Sequence, residues 1–349
     1  MIKLKHSMLV RHHAGKVALH DVHAALQAAI ELEHSTIPLY LYAMYSLDPK
    51  RNGEIVRIIR SAVIEEMLHM VLSANVLNAL GGSPRIAGPQ FVPTYPGTLP
   101  GGVEGQMTVQ LRPFSMEQLM TFIEIEEPRD PIGALAQSGP DEVGSCTIGE
   151  FYLSIENAIQ ALPDKAFNGA PSRQIGPDLM WGSIAVIDKS SAIEAINTII
   201  EQGEGTTTSP EEIDGVGGVN DFAHFYRFMQ IHQGRRLVKT ESSEQGSVDF
   251  VYAGESVEFD PAGVFPLDDN PKSSDYPAGS DARELADTFN ETYTTLLATL
   301  DRLVNGYADE TTFAEALAQM QSLDDQAHAM MHSPDGAIAP TFEFRATSR

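Results

Sequence analysis

Apolar side chains recur at spacings of three and four along residues 21–46 and 53–80, the period of a long helix with one face in a core. Asp21 is a candidate cap for the first run, and Gly81-Gly82 is a helix-ending pair after the second. Shorter helical patterns follow at 115–126, 148–162, 191–204 and 221–231, then a last pair at 281–304 and 310–331. The Pro- and Gly-rich connection from Pro84 to Pro113 is longer than packing requires, the kind of segment that covers a site. Its alternating run Met107 to Leu111 predicts one short strand, and alternation from Ser247 to Tyr252 predicts a small β-hairpin. These elements predict an all-α protein: a four-helix bundle with long connecting loops over residues 1–240, then an irregular segment and helical pair packed on it over 241–349, or one single domain 1–349.

Within the first helix Leu26, Ile30, Glu33, Ile37, Tyr40 and Met44 share one stripe, so Glu33 stands in an otherwise apolar seam. Glu31 is about 200° around the helix from it, on a face with Gln27 and Ser35, and reads as solvated. The second helix repeats the arrangement, with Glu66 and His69 in the stripe that runs from Ile59 through Ala62 to Ser73 and Val76. A lone buried carboxylate is costly, so it takes a proton, a cation or a metal, and a Glu one turn from a His suits the metal. Bundles that hold two iron or two manganese ions draw a Glu from each of two helices and Glu-x-x-His from the other two. Pro38 cannot donate to the carbonyl of His34 and is expected to kink the first helix near Glu33.

Composition narrows the chemistry. With 349 residues, 42% of them hydrophobic, the chain can bury one large core or two smaller ones. A formal charge of −25 argues against nucleic acid or an anionic membrane as partner, since Arg235-Arg236 and the Lys3/Lys5 pair are too small a basic patch to offset it. A lone cysteine, Cys146, excludes an internal disulfide framework and a thiolate cluster, which leaves oxygen and nitrogen donors. Hard carboxylate donors with one His per metal favour iron, with manganese as the alternative. The opening MIKLKHSMLVRHHAGK has no signal-peptide core and no stretch reaches bilayer length, so a cytoplasmic protein is expected. His328 and His332, one turn apart, are the remaining candidate for a weaker metal site.

The runs AIELEHSTIPLYLYAMYSL, IRSAVIEEMLHMVLSANVLNALGG, YPGTLPGG, LRPFS, TIGEFY, IIEQGEGT, AHFYRFMQI and PTFEF resemble the ferritin-like domain named for iminophenyl-pyruvate dimer synthase, a family of bisindole biosynthesis. The likeness covers nearly the whole chain and implies a ferritin-like bundle, here standing alone rather than within a much longer protein. It implies Glu33, Glu66 and His69 as metal ligands and Tyr40, seven residues after Glu33, as a candidate catalytic residue. For the other half it implies Glu150 of TIGEFY, Glu204 of EQGEG and His224 of AHFYRF as ligands. Glu201 and Asp221 are the alternatives there, because a Gly-rich insertion separates the carboxylates from His224. The alternative reading of Glu150 is a first-turn charge stabilised by the helix dipole.

Two iron ions between four inner helices imply activation of O2 or peroxide for the oxidation of a small molecule in secondary metabolism, with oxidative coupling of an amino-acid-derived imine as the family's reaction. A homo-oligomer is compatible with this. Two other readings stand beside it: an iron-binding or iron-buffering protein without organic substrate, and a structural bundle whose inward carboxylates pair with Arg57, Arg60 or Arg227.

Overall fold

A computed structural model describes residues 4–5, 12–13, 16–100, 107–128, 145–206, 209–211, 222–241, 248–334 and 336–346. Eight α-helices lie among them: α1 (Leu19–Tyr45), α2 (Pro49–Ala79), α3 (Met116–Glu126), α4 (Ile148–Ala161), α5 (Lys189–Gly203), α6 (His224–Gln233), α7 (Asp281–Val304) and α8 (Glu310–Met331). Six short strands form three antiparallel pairs: β1 (Leu4–Lys5) with β4 (Ser145–Cys146), β2 (His12–His13) with β3 (Lys16–Val17), and β5 (Arg235–Glu241) with β6 (Val248–Ser256).

Local chemistry sets the helix ends. Asp48 accepts from the Lys50 N–H and Pro49 occupies the first turn, so α2 starts before Gly53, at the cost of an irregular Asn52 whose side chain bonds the backbone of Asp260 and Gly263. Ser115, Thr147 and Asp188 cap α3, α4 and α5 by accepting from backbone N–H groups. The helical assignment of α1 continues through Pro38. The strand expected over Met107–Leu111 is reduced to one bridge between Gly97 and Val109, because the backbone of Leu111 exchanges its hydrogen bonds with Asn270 instead of a neighbouring strand. The expected hairpin is present, and it pairs 248–256 with the segment that follows α6.

α1 and α2 pack along each other, and against them lie four shorter helices that pair as α4 with α5 and α3 with α6. The third and fourth rods of the bundle are thus each split in two. α7 and α8 form a hairpin on the outer side of α1 and α2. Burial is continuous from Val22 on α1 to Phe342 near the C-terminus. No helix among the described residues is long and apolar enough to cross a membrane.

Candidate metal centre

The inward stripes of α1 and α2 bring Glu33, Glu66 and His69 together, all at most 5% exposed. The split rods supply two more groups at the same level: Glu126 is the last residue of α3 and His224 the first of α6. Two sets of ligand atoms result, Glu33–Glu66–His69 and Glu66–Glu126–His224, each with its atoms within 4.8 Å of one another. Glu66 belongs to both. Its Oε2 lies 3.9 Å from His69 Nδ1 and its Oε1 lies 3.0 Å from His224 Nδ1. Glu33 Oε2 is 3.5 Å from His69 Nδ1, and Glu126 Oε2 is 3.8 Å from His224 Nδ1.

Four of the five groups are held by a partner behind them. His69 turns Nε2 to Gln202 of α5 at 3.1 Å, and His224 turns Nε2 to Glu65 at 2.9 Å, which leaves Nδ1 of both rings facing the carboxylates. Glu65 in turn accepts from the Arg227 guanidinium. Tyr40 donates to Glu126 and Tyr152 donates to Glu33, so each of these carboxylates keeps its second oxygen for the interior. Histidines that bind metals characteristically hold their other nitrogen in such a bond, which fixes tautomer and ring plane.

Burial and mutual repulsion govern the charges. Burial, then the neighbouring Glu126 and Glu33 carboxylates, raise the Glu66 carboxyl well above its ordinary range. Burial acts in the same sense on Glu33, yet the His69 hydrogen bond and the others it accepts outweigh it and lower its pKa. Burial opposes a charge on His224, but the carboxylates of Glu126, Glu65 and Glu66 overcome it and raise its pKa well above the usual imidazole value. Against burial, the His224 hydrogen bond and the Arg227 charge hold Glu65 down at about 2, a permanent anion.

The chemistry of this donor set fits a divalent metal. Three buried carboxylates face one another, and no Lys or Arg among the described residues pairs with Glu33, Glu66 or Glu126. His224 Nδ1 is buried without a hydrogen-bond partner of good geometry. A cavity of about 20 Å³ lies among Glu33, Glu66, His69, Glu126 and Tyr152, room for an occupant of ion or water size and for nothing larger. The arginines weighed as structural partners go elsewhere: Arg57 to Glu54, Arg60 to Asp324, Arg227 to Glu65.

Of the residues expected from the sequence, Glu33, Glu66, His69 and His224 meet in this cluster, and Tyr40 reaches it through Glu126. Glu204 lines the same small cavity as the C-cap of α5, with Oε1 accepting from the Gly149 N–H at 2.7 Å. Burial pushes its carboxyl up to about 7 despite that bond and one from Thr147. Glu150 is placed differently: its carboxylate accepts the N–H of Thr147 in a capping box at the start of α4, the role of a first-turn charge. Glu201 is part-exposed on α5, outside both ligand sets. Asp221 and the side chain of Cys146 lie outside the described residues. His328 and His332 each engage a backbone carbonyl one turn back through Nδ1 and join no ligand set among the described residues.

Glu126 was not among the expected ligands, although a signal for it exists. Leu119, Phe122, Ile123 and Glu126 follow the three-four spacing that marks Glu33, and Glu126 closes that stripe at the helix end.

The fold and these residues define a class, helical bundles with a buried cluster of carboxylates and histidines that could hold metal. Residues 26–233 match the Ferritin-like family, and the chain belongs to it. It is similar to the 2-imino-3-(indol-3-yl)propanoate dimerase of Chromobacterium violaceum, 27% identical over 52% of this chain and 20% of that protein. It is also similar to the dichlorochromopyrrolate synthase of Lentzea aerocolonigenes, 22% identical over 83% of this chain and 31% of that protein. The chain therefore spans less than a third of either relative. A crystal structure of a ferritin-like protein from Caulobacter vibrioides shares the fold at a TM-score of 0.57 and 23% identity, over 93% of this chain and 98% of that one.

Proposed function

We propose that this protein is a non-haem di-iron oxidase or oxygenase acting on a small molecule of secondary metabolism, with oxidative coupling of an amino-acid-derived imine as its reaction. The observation that carries the reading is Glu66 shared between two Glu–His sets, with one carboxylate oxygen turned to each histidine, so that it would contribute to both. Glu33 and His69 would hold one ion and Glu126 and His224 the other, with Glu204 at the rim of the same cavity. Iron there supplies redox chemistry with O2 or peroxide, and manganese fits the same donors.

The chain's own residues do the rest. Tyr40 and Tyr152 keep their protons, their ionisation suppressed by burial and by the carboxylates they touch, and so hold Glu126 and Glu33 in place as hydrogen-bond donors. Ile148, Ile199 and Ile200 beside the cavity exclude bulk water. The imine is proposed from the printed names of the two relatives, whose own lengths extend far beyond the matched part. We read residues 1–240 as the metal-binding body and 241–349 as its outer support.

The test is anaerobic reconstitution with ferrous iron, metal analysis and O2 uptake, alongside Glu66→Ala and His69→Ala. About two irons per chain are expected, lost in both variants while circular dichroism keeps the helical signal. Metal at background in the wild type overturns the reading. Feeding the loaded protein an imine made in place from tryptophan by an amino-acid oxidase, with mass spectrometry for a coupled dimer, tests the substrate class.

A further inference from the structure

Between α1, α2, α7 and α8, apart from the metal centre, lies a second, far larger cavity, of about 630 Å³. α1 lines it with Ile37, Leu41 and Met44, α2 with Val63, Met67 and Met70, and α7, α8 and the loop at 175–181 close it. No residue lines both this cavity and the small one at the centre. The helix pair beyond the four-rod bundle thus forms one wall of a half-open chamber, and its volume falls in the range of small-molecule sites, roughly 300–1,000 Å³.

The lining selects a ligand. Its charged residues are Arg60 and Asp324, which pair with each other at 3.3 Å and so offer no unbalanced charge. The inner polar group is His34, only 3% exposed, held by stacking on Phe91 at 4.4 Å and by its Nε2 at 2.9 Å from the Tyr293 hydroxyl. His34 Nδ1 is buried with no partner, and leaving such a nitrogen unbonded is costly. At the outer end Ile64, Trp181 and Leu317 are 37–50% exposed and apolar.

We propose that the chamber is a second binding site, for a neutral, largely hydrocarbon small molecule with one hydroxyl or carbonyl group, bonded to His34 and with its apolar body running out towards Trp181. An imidazole nitrogen donates or accepts according to tautomer, so either oxygen function satisfies it. The site stands independently of the metal centre, and its test contains no metal.

Trp181 is the chain's single tryptophan and sits at the mouth, so its emission reports occupancy directly. The full chain, treated with chelator, is titrated with straight-chain primary alcohols from hexanol to dodecanol, with dodecanoate as the charged counterpart. The expected result is a saturable one-site change in Trp181 emission, tightening about fourfold per added methylene until the chamber is full, with dodecanol well ahead of dodecanoate. Ala316→Phe, which narrows the chamber from α8, is expected to weaken dodecanol about tenfold, and His34→Phe to weaken it about five- to tenfold. A flat titration for every alcohol, dodecanol binding unchanged by Ala316→Phe, or dodecanoate binding as tightly as dodecanol overturns the proposal. A change in emission that tracks protein concentration alone, with a dimer in sedimentation, assigns the mouth to a second copy and overturns it as well.

Discussion

A Cβ at Gly149 would collide with the carboxylate of Glu204, so any side chain there pushes that group aside. Its bare N–H is what lets the Glu204 carboxylate lie at the rim of the centre. Gly149→Ala is therefore expected to displace Glu204 and weaken metal binding about tenfold, read by competition with a chromophoric chelator, while the helical fold persists. Gln202→Leu removes the partner behind His69 and Glu65→Gln takes the charge from the one behind His224, and each is expected to cost about 10- to 100-fold in metal affinity; unchanged affinity in both would show that the rings need no such support. Glu33, Glu66 and His69 are legible in the sequence because a charge inside an apolar stripe contradicts its surroundings. Glu150 drew attention as the carboxylate of TIGEFY, yet in that run it is Gly149 and Tyr152 that touch site carboxylates. Nothing in periodicity distinguishes a capping glutamate from a ligand when both fall in a first turn.

The long helices are legible for a second reason, since each repeats its spacing over enough turns to outweigh local noise, and the C-terminal pair coincides with its sequence pattern, 281–304 and 310–331. The split rods were harder, because Glu126 and His224 stand at helix ends where a stripe has a neighbour on one side only. α6 begins at His224 rather than 221, its cap Ala223 supplying no side-chain bond to mark the start. A pH effect belongs to this scale, at the meeting of α1 and α7. Burial pushes the His34 imidazole from its ordinary 6.5 down to about 3. Between those values the unfolded chain binds a proton that the fold refuses, so the stability is whole above pH 6.5 and drains away as pH falls towards 3. The slope from this one group approaches about 1.4 kcal/mol per pH unit. Denaturant unfolding of the metal-free protein between about pH 7 and 5 is expected to show a steeper decline for the wild type than for His34→Gln. Parallel declines would count against a neutral, buried His34.

For the molecule as a whole, the proposed metal binding would be linked to folding, because an unfolded chain cannot assemble groups drawn from α1, α2, α3 and α6. Saturation with Mn(II), which needs no anaerobic handling, is expected to stabilise the protein by about 2.7 kcal/mol at a hundredfold excess over Kd, and to raise the melting temperature by several degrees. A melting curve unmoved by Mn(II) would mean that the cluster is not a site for this ion. The overall charge of −25 favours the approach of cations. One last consequence follows from the split rods. A continuous helix transmits its register rigidly, so lengthening it anywhere rotates every group beyond the change. Here the register is cut at the level of the ligands, after Glu126 and before His224, and the side chains gathered there realign the two halves. The connections between Glu126 and Thr147 and between Glu204 and His224 can therefore change length and sequence without turning the bundle, so new specificity can be written into them while the scaffold stays fixed.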